Sequence, residues 1–345
     1  MRERLREGVL RLLVSPPLGG LLRPLARGTI TLFLLHRLAD PRLGHPGHSL
    51  PALRRAVGGL RKDRVDLLSM EEVLGRLREP ERWRGAPPAA SFTLDDGYRE
   101  QVELGAPLLA EYDCPSTLFV STAFVDGREW PWWDRVETIL LLAEPALLTS
   151  RSGSPQVPPL HPAHRPTNLP GRRVTAAALV EELRWLSLAQ REERLSHLTR
   201  RLEVELPDSP PDGYAPAGWS MLREGEKLGM RVGPHGVHHT LLTLEGEEVV
   251  REEVAGSWRR LGEEMAEPVP VFAFPDGLPP GGGTREMSIV GEAGLQAGVT
   301  GEPRHVRPGE GSSDGPFRLG RFHFPGSLHR VRQVVGGLEQ WRGRR

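Results

Sequence analysis

The chain has 345 residues, 38% hydrophobic and 26% charged, with 45 basic and 45 acidic side chains and a formal net charge of zero. That length and apolar content suit one large α/β domain or two small ones and exclude global disorder. The balanced charge lacks the basic footprint of a nucleic-acid binder, so no nucleic-acid partner is expected. A single cysteine, Cys114, cannot form an intrachain disulfide. It precedes Pro115 in an apolar stretch and reads as a buried structural residue.

Residues 1–28 read as a separate N-terminal helical segment, Arg-rich and interrupted by Glu3, Glu7, Pro16, Pro17 and Pro24. The segment lacks the continuous apolar core of a secretory signal. No run in the chain approaches the roughly 18 apolar residues of a membrane span. Leu5, Val9, Leu12 and Leu13 fit one face of a short amphipathic helix, either packed on the domain or resting on a membrane surface. The resulting expectation is a cytoplasmic location, with peripheral association at the inner membrane face as its sharper form.

Residues 29–35 (TITLFLL) read as a buried strand ending at His36-Arg37. Helical spacing follows over 49–61 and 70–79, with Ser69 before Glu71 and Glu72 marking a helix start. Ser91–Leu94 is a strand that stops at Asp95-Asp96-Gly97. A helix is expected over about 99–111, and Ser116–Ser121 is another buried strand. Residues 145–217 read as an insertion that is not a catalytic unit: a loop to 172, leucines at three- and four-residue spacing over 174–204, then a Pro/Gly-rich stretch. A helix over 219–229 and a strand over 230–233 lead to PHGVHH. Thr243 suits a helix cap ahead of Glu245, Glu247 and Glu248. Val271–Phe274, 298–300 and Arg318–Phe324 are late strands. Alternating strands and helices favour a parallel sheet or barrel with crossover helices.

Two clusters carry chemistry. Asp95 and Asp96 are adjacent carboxylates at a strand end, costly to bury unless neutralised. A divalent metal explains them economically, with one acid ligating and the other free as a base. The alternative is an acid pair capping the next helix. In His235-Gly236-Val237-His238-His239, the first and last imidazoles are four apart, a spacing that puts both on one side of a helical turn. Two imidazoles and a carboxylate make a common metal triad with open positions. A solvated His cluster is the alternative, but the two clusters are complementary parts of one site.

Together these motifs resemble the polysaccharide deacetylase family, the NodB homology domain, of exopolysaccharide-biosynthesis type. Thr93-Leu94-Asp95-Asp96-Gly97 is similar to T-F-D-D-G, and His235 to His239 to H-S/T-x-x-H with Gly236 in place of the hydroxyl residue. Phe272-Ala273-Phe274-Pro275-Asp276-Gly277 is similar to F-x-Y-P-x-G. Leu34–Arg37, Pro115–Val120, Trp130–Asp134 and Phe317–Arg321 resemble further segments, so the likeness covers about residues 30–325.

The resemblance implies a distorted (β/α)7 barrel over 29–330, with a helical insertion at 145–217 and a C-terminal tail from 331 to 345. It implies that Asp95 is the general base and that Asp96, His235 and His239 hold a divalent metal, usually zinc. Pro275 and the backbone N–H of Asp276 are candidates at the oxyanion. Arg321 is a candidate to orient Asp95. His36 is the leading candidate for a further pocket residue, ahead of His323 and His329, since no late L-x-H segment fits. Trp130, Trp132 and Trp133 suit either sugar stacking or core packing. The implied activity is removal of acetyl groups from N-acetylated sugars of a polysaccharide or glycan precursor. The alternative is a weakly active or inactive relative that binds glycan. Gly236 and Asp276, where the family often has Tyr, are the departures that motivate it.

Overall fold

The structure is a computed structural model that describes residues 26–43, 46–149, 168–278, 283–307, 309 and 315–339. The expected N-terminal helix, and with it the membrane-surface reading, lies outside the described residues through residue 25.

Eight strands are described: β1 (Ile30–Leu35), β2 (Asp66–Leu67), β3 (Ala89–Asp96), β4 (Ser116–Val120), β5 (Met230–Pro234), β6 (Val271–Ala273), β7 (Ala297–Val299) and β8 (Phe322–His323). Six form a parallel sheet in the order β5-β4-β3-β1-β8, with β2 pairing beside β3. The remaining two, β6 and β7, pair in parallel as a second sheet. The sheets are linked at both sides. Val269 N–H donates to Val232 O at 2.7 Å, and Leu319 bridges Val299 three residues before Phe322 pairs with Phe33. A continuous barrel ladder is not seen among the described residues.

Side chains alternate across β1. Ile30 and Leu32 join Phe119, Val271, Ala273, Ala297 and Val299 in one buried cluster, which ties the two sheets together. Phe33 and Leu35 face the opposite way, with Phe92, Leu94, Leu118, Val120 and the flanking helices. Burial on both faces is why the strands read as unbroken apolar runs. Cys114 lies in this second core, where burial pushes its thiol up to about 12.

Among the described residues, the helices of eight residues or more are α1 (Leu50–Lys62), α2 (Met70–Arg78), α3 (Trp132–Leu142), α4 (Leu169–Leu183), α5 (Leu188–Leu202), α6 (Trp219–Lys227), α7 (Ser257–Glu264), α8 (Thr284–Glu292) and α9 (Leu328–Val335). Ser69 caps α2 in a reciprocal capping box with Glu72. The expected helix over 99–111 is a π-helical turn, Gln101–Gly105, running into Ala106–Ala110. Thr243 is not a cap. It sits inside a 3₁₀ turn, Leu242–Leu244, and the helix starts at Glu247 with extended Gly246 at the cap. The expected strand over 318–324 shrinks to two residues because Arg318 ends a 3₁₀ turn and pairs with Glu302.

Two stretches near the expected domain limits pack into neighbouring cores. Val331, Val334 and Val335 of α9 are buried in the main core, so the chain beyond 330 does not start as a tail. The inserted helices α4 and α5 share a core with α3, in which Val136, Ile139 and Leu140 meet Ala176, Leu183 and Leu195. The inserted helices therefore pack as one cluster with α3, which begins at Trp132.

Candidate metal centre

Asp95 and Asp96 close β3, and both are buried. Successive strand residues point to opposite faces. Asp96 escapes that rule through a backbone φ of +90°, followed by Gly97 at +102°. A positive φ is rare in a non-glycine residue and must be enforced by its surroundings. The side chain of Gln101, at the start of the π turn, supplies the enforcement. Its oxygen accepts from the N–H groups of Gly97 and Tyr98, and its amide donates to the carbonyls of His36 and Asp95.

His235 directly follows β5. The four-residue spacing to His239 is met by a loop and not by the expected helical turn, because Gly236 and His239 have φ of +80° and +50°. Glu253 holds this loop. Its buried carboxylate accepts from Val237 N–H at 2.9 Å and His238 N–H at 3.0 Å. His238 turns away and bonds Glu129 through Nδ1.

The two loops converge. His239 Nε2 lies 3.5 Å from Asp96 Oδ1, and His235 Nε2 lies 3.9 Å from the same oxygen. One ligand atom from each of Asp96, His235 and His239 falls within 4.8 Å of the others. Burial lowers both imidazoles, His239 to about 3, so each is neutral with a free lone pair. The His235 Nδ1 is 2.7 Å from Ala273 O, which fixes Nε2 as the unprotonated nitrogen that a metal requires. Burial, then the Asp95 and Asp134 charges, drive the Asp96 carboxyl well above its usual range. Two neutral imidazoles beside a carboxylate under that strain suit a divalent cation, which would reverse the electrostatics at Asp96.

Asp95 adjoins that triad at His235 and is held from its other side. Arg321 grips it with two parallel hydrogen bonds of 2.7 Å and also donates to Thr93 Oγ1 and Thr300 O. Burial opposes ionisation of Asp95, but the Arg321 charge outweighs it and holds the carboxyl at about 2. Asp95 is therefore a carboxylate at neutral pH, 3.8 Å from His235 Nε2.

These groups open onto a cleft of about 820 Å³. His36 and His323 stand on its wall with rings stacked at 5.9 Å. Burial lowers both, His36 to about 4. His329 lies on α9 and does not line the cleft. Asp276 follows buried Pro275 and lines the cleft with a φ of +54°. Of the tryptophans, Trp132 and Trp133 reach the cleft, and Trp130 packs with Tyr98 and Phe124. Trp133 buttresses the centre: its ring meets His239 edge-on at 4.6 Å, and its Nε1–H donates to Tyr98 Oη. Tyr98 in turn donates to Asp134 at 2.6 Å.

Gln101 and Glu253 are the supporting residues that motif reading missed. Both are buried polar side chains on otherwise amphipathic helical stretches, and each comes shortly after a motif loop. The sequence carries no signal for either, since a polar residue in a helical stretch ordinarily faces solvent.

No protein-family model matches the chain, and no curated protein matches it in sequence. Solved structures do match. The Streptococcus pyogenes deacetylase PplD in complex with acetate aligns at 15% identity and a TM-score of 0.56, over 89% of this chain and 98% of that one. IcaB from Ammonifex degensii aligns at 17% identity and 0.55, over 90% and 97%. BC0361, a polysaccharide deacetylase from Bacillus cereus, aligns at 12% and 0.52, over 89% and 69%. At such low identity the shared property is architecture: the chain has the α/β fold of the polysaccharide deacetylases, as its motifs implied.

Proposed function

We propose that the protein is a divalent-metal-dependent hydrolase that removes acetyl groups from N-acetylated sugars of a glycan. The observation that carries this reading is the division of labour between two adjacent acids. Asp96 Oδ1 faces both neutral imidazoles, whereas Asp95 approaches His235 alone and has both of its oxygens bonded by Arg321. The acetate in the PplD structure and the deacetylase descriptions of similar folds support it.

Asp96, His235 and His239 would hold the ion, and the donor set suits zinc. A bound ion of this kind acidifies water and polarises an amide carbonyl. Asp95 acts as general base, ionised across the physiological range and oriented by Arg321 so that it can receive the water's proton. Its low basicity limits the driving force for that transfer, while the fixed geometry favours it. The backbone N–H of Asp276 is the proposed donor to the developing oxyanion. His36 and His323 flank the cleft as neutral imidazoles and are the candidates to relay the proton to the leaving amine. Acetate and a free amino sugar result.

Asp95→Asn is expected to abolish acetate release from chitin oligomers while metal content stays unchanged, and His235→Ala to lose both. Full turnover in Asp95→Asn would remove the base assignment. Tight metal binding by the wild type without acetate release from a broad glycan panel would favour a glycan-binding role.

A further inference from the structure

The inserted helical hairpin walls the cleft as well as packing on α3. Ala176, Ala177 and Val180 of α4 line the cleft beside the metal centre. At the C-terminal end of α4, Arg184 Nε lies 3.4 Å from Asp276 Oδ1, and its Nη1 lies 3.3 Å from Glu181. Its Nε is buried and makes no hydrogen bond, so the contact with Asp276 is purely ionic. One turn into α5, Arg191 is wholly buried, with its guanidinium 4.5 Å over the Trp132 ring. Among the charges that act on Arg191, Asp276 is the strongest. The Asp276 carboxylate is also felt at Asp96 and at His239.

Asp276 thus brings a negative charge close to the place where negative charge would build on the acyl oxygen. Left alone it would oppose that charge and compete for the cation. One arginine of the insertion, Arg184, faces it instead, and the charge of a second, Arg191, acts on it without direct contact. A partly exposed ion pair without a hydrogen bond contributes little to stability. Its consequence is electrostatic and local.

We propose that Arg184 is a positioning residue of this site, which cancels the Asp276 charge and pins the Pro275–Gly277 turn so that its backbone N–H faces the reacting acyl group. The proposal rests on the deacetylase reading, and it makes the hairpin an integral part of the active site. Arg184 touches no reacting atom and acts only through Asp276.

A double-mutant cycle with chitin oligomers as substrate tests it. Arg184→Gln is expected to lower kcat about ten-fold with KM changed less than about two-fold, as expected of a coupled charge pair. Arg184→Lys is expected to recover most of that loss. In an Asp276→Asn background the same Arg184→Gln change is expected to alter kcat less than about two-fold. Equal losses in both backgrounds, or a loss confined to KM, would overturn the proposal. Hydrogen exchange over residues 271–278 separates this outcome from a failure of the deacetylase reading. If the wild type releases no acetate, the reading falls, while faster exchange in Arg184→Gln still upholds the clamp and unchanged exchange removes it.

Discussion

A Cβ placed on Gly236 would lie 2.6 Å from Glu253 Oε2, in a residue whose φ is +80°. The carboxylate cannot swing away cheaply, because it is buried and accepts the Val237 and His238 amides. This accounts for the glycine where related motifs carry a hydroxyl. The loop is steadied from outside by Glu253, and the space a side chain would need is already filled. The motif residues themselves were legible because each is chemically unusual at a strand end. Glu253 was not, since an acid in a helix ordinarily faces solvent. Gly236→Ala is expected to destabilise the fold by about 1–3 kcal/mol through the left-handed backbone and the clash. Denaturant midpoints measure this, and an unchanged midpoint would show that the loop relaxes freely.

At the scale of elements, two π-helical turns do the supporting work. Gln101–Gly105 follows the acidic loop, and Glu252–Gly256 follows the histidine loop. An inserted residue re-aims one side chain without disturbing the helical spacing on either side, so hydrophobic periodicity cannot reveal it. Buried strands and the capped helix at Ser69 were readable for the opposite reason: continuous apolar runs and a reciprocal cap are written locally. The first turn of α3 carries a less visible device. Asp134 is buried beneath Tyr98, and burial raises it to about 7. The folded chain therefore keeps a proton that the unfolded chain releases near the ordinary carboxyl pKa of about 4. The stabilisation this provides is full below that value and is lost as pH rises through about 7. Buried Glu253, also raised to about 7, adds to the same slope. Asp134→Asn keeps an acceptor for Tyr98 but removes the titration. Its stability is expected to fall less than that of the wild type between pH 5 and pH 8, by on the order of 1–3 kcal/mol. Parallel stability–pH curves for the two proteins would contradict the assignment.

For the molecule as a whole, the site exists because parallel strands deliver their C-terminal ends to one side of the sheet. The acids end β3, His235 follows β5 and Pro275 comes just after β6, so motifs far apart in the chain meet without any local signal of contact. Their order along a βα pattern made that meeting legible. The hairpin's place beside the cleft was not, because its leucines report burial without saying against what. If Asp96, His235 and His239 hold a cation as proposed, the same convergence links its binding to stability. A cation held between β3 and the loop after β5 binds only the folded chain, and at a free concentration a hundred times its Kd it would stabilise by about 2.7 kcal/mol. Burial keeps both imidazoles neutral, so the proton that would compete with such a cation resides on Asp96, whose carboxyl is raised. Acidification therefore weakens the cation's contribution, since the bound proton must leave before the metal can enter. Added zinc is expected to raise the melting temperature of the wild type by several degrees at pH 7.5, by less at pH 5.5, and not at all in His239→Ala. An equal rise in the wild type and in His239→Ala would place the metal elsewhere on the protein and separate these three residues from it.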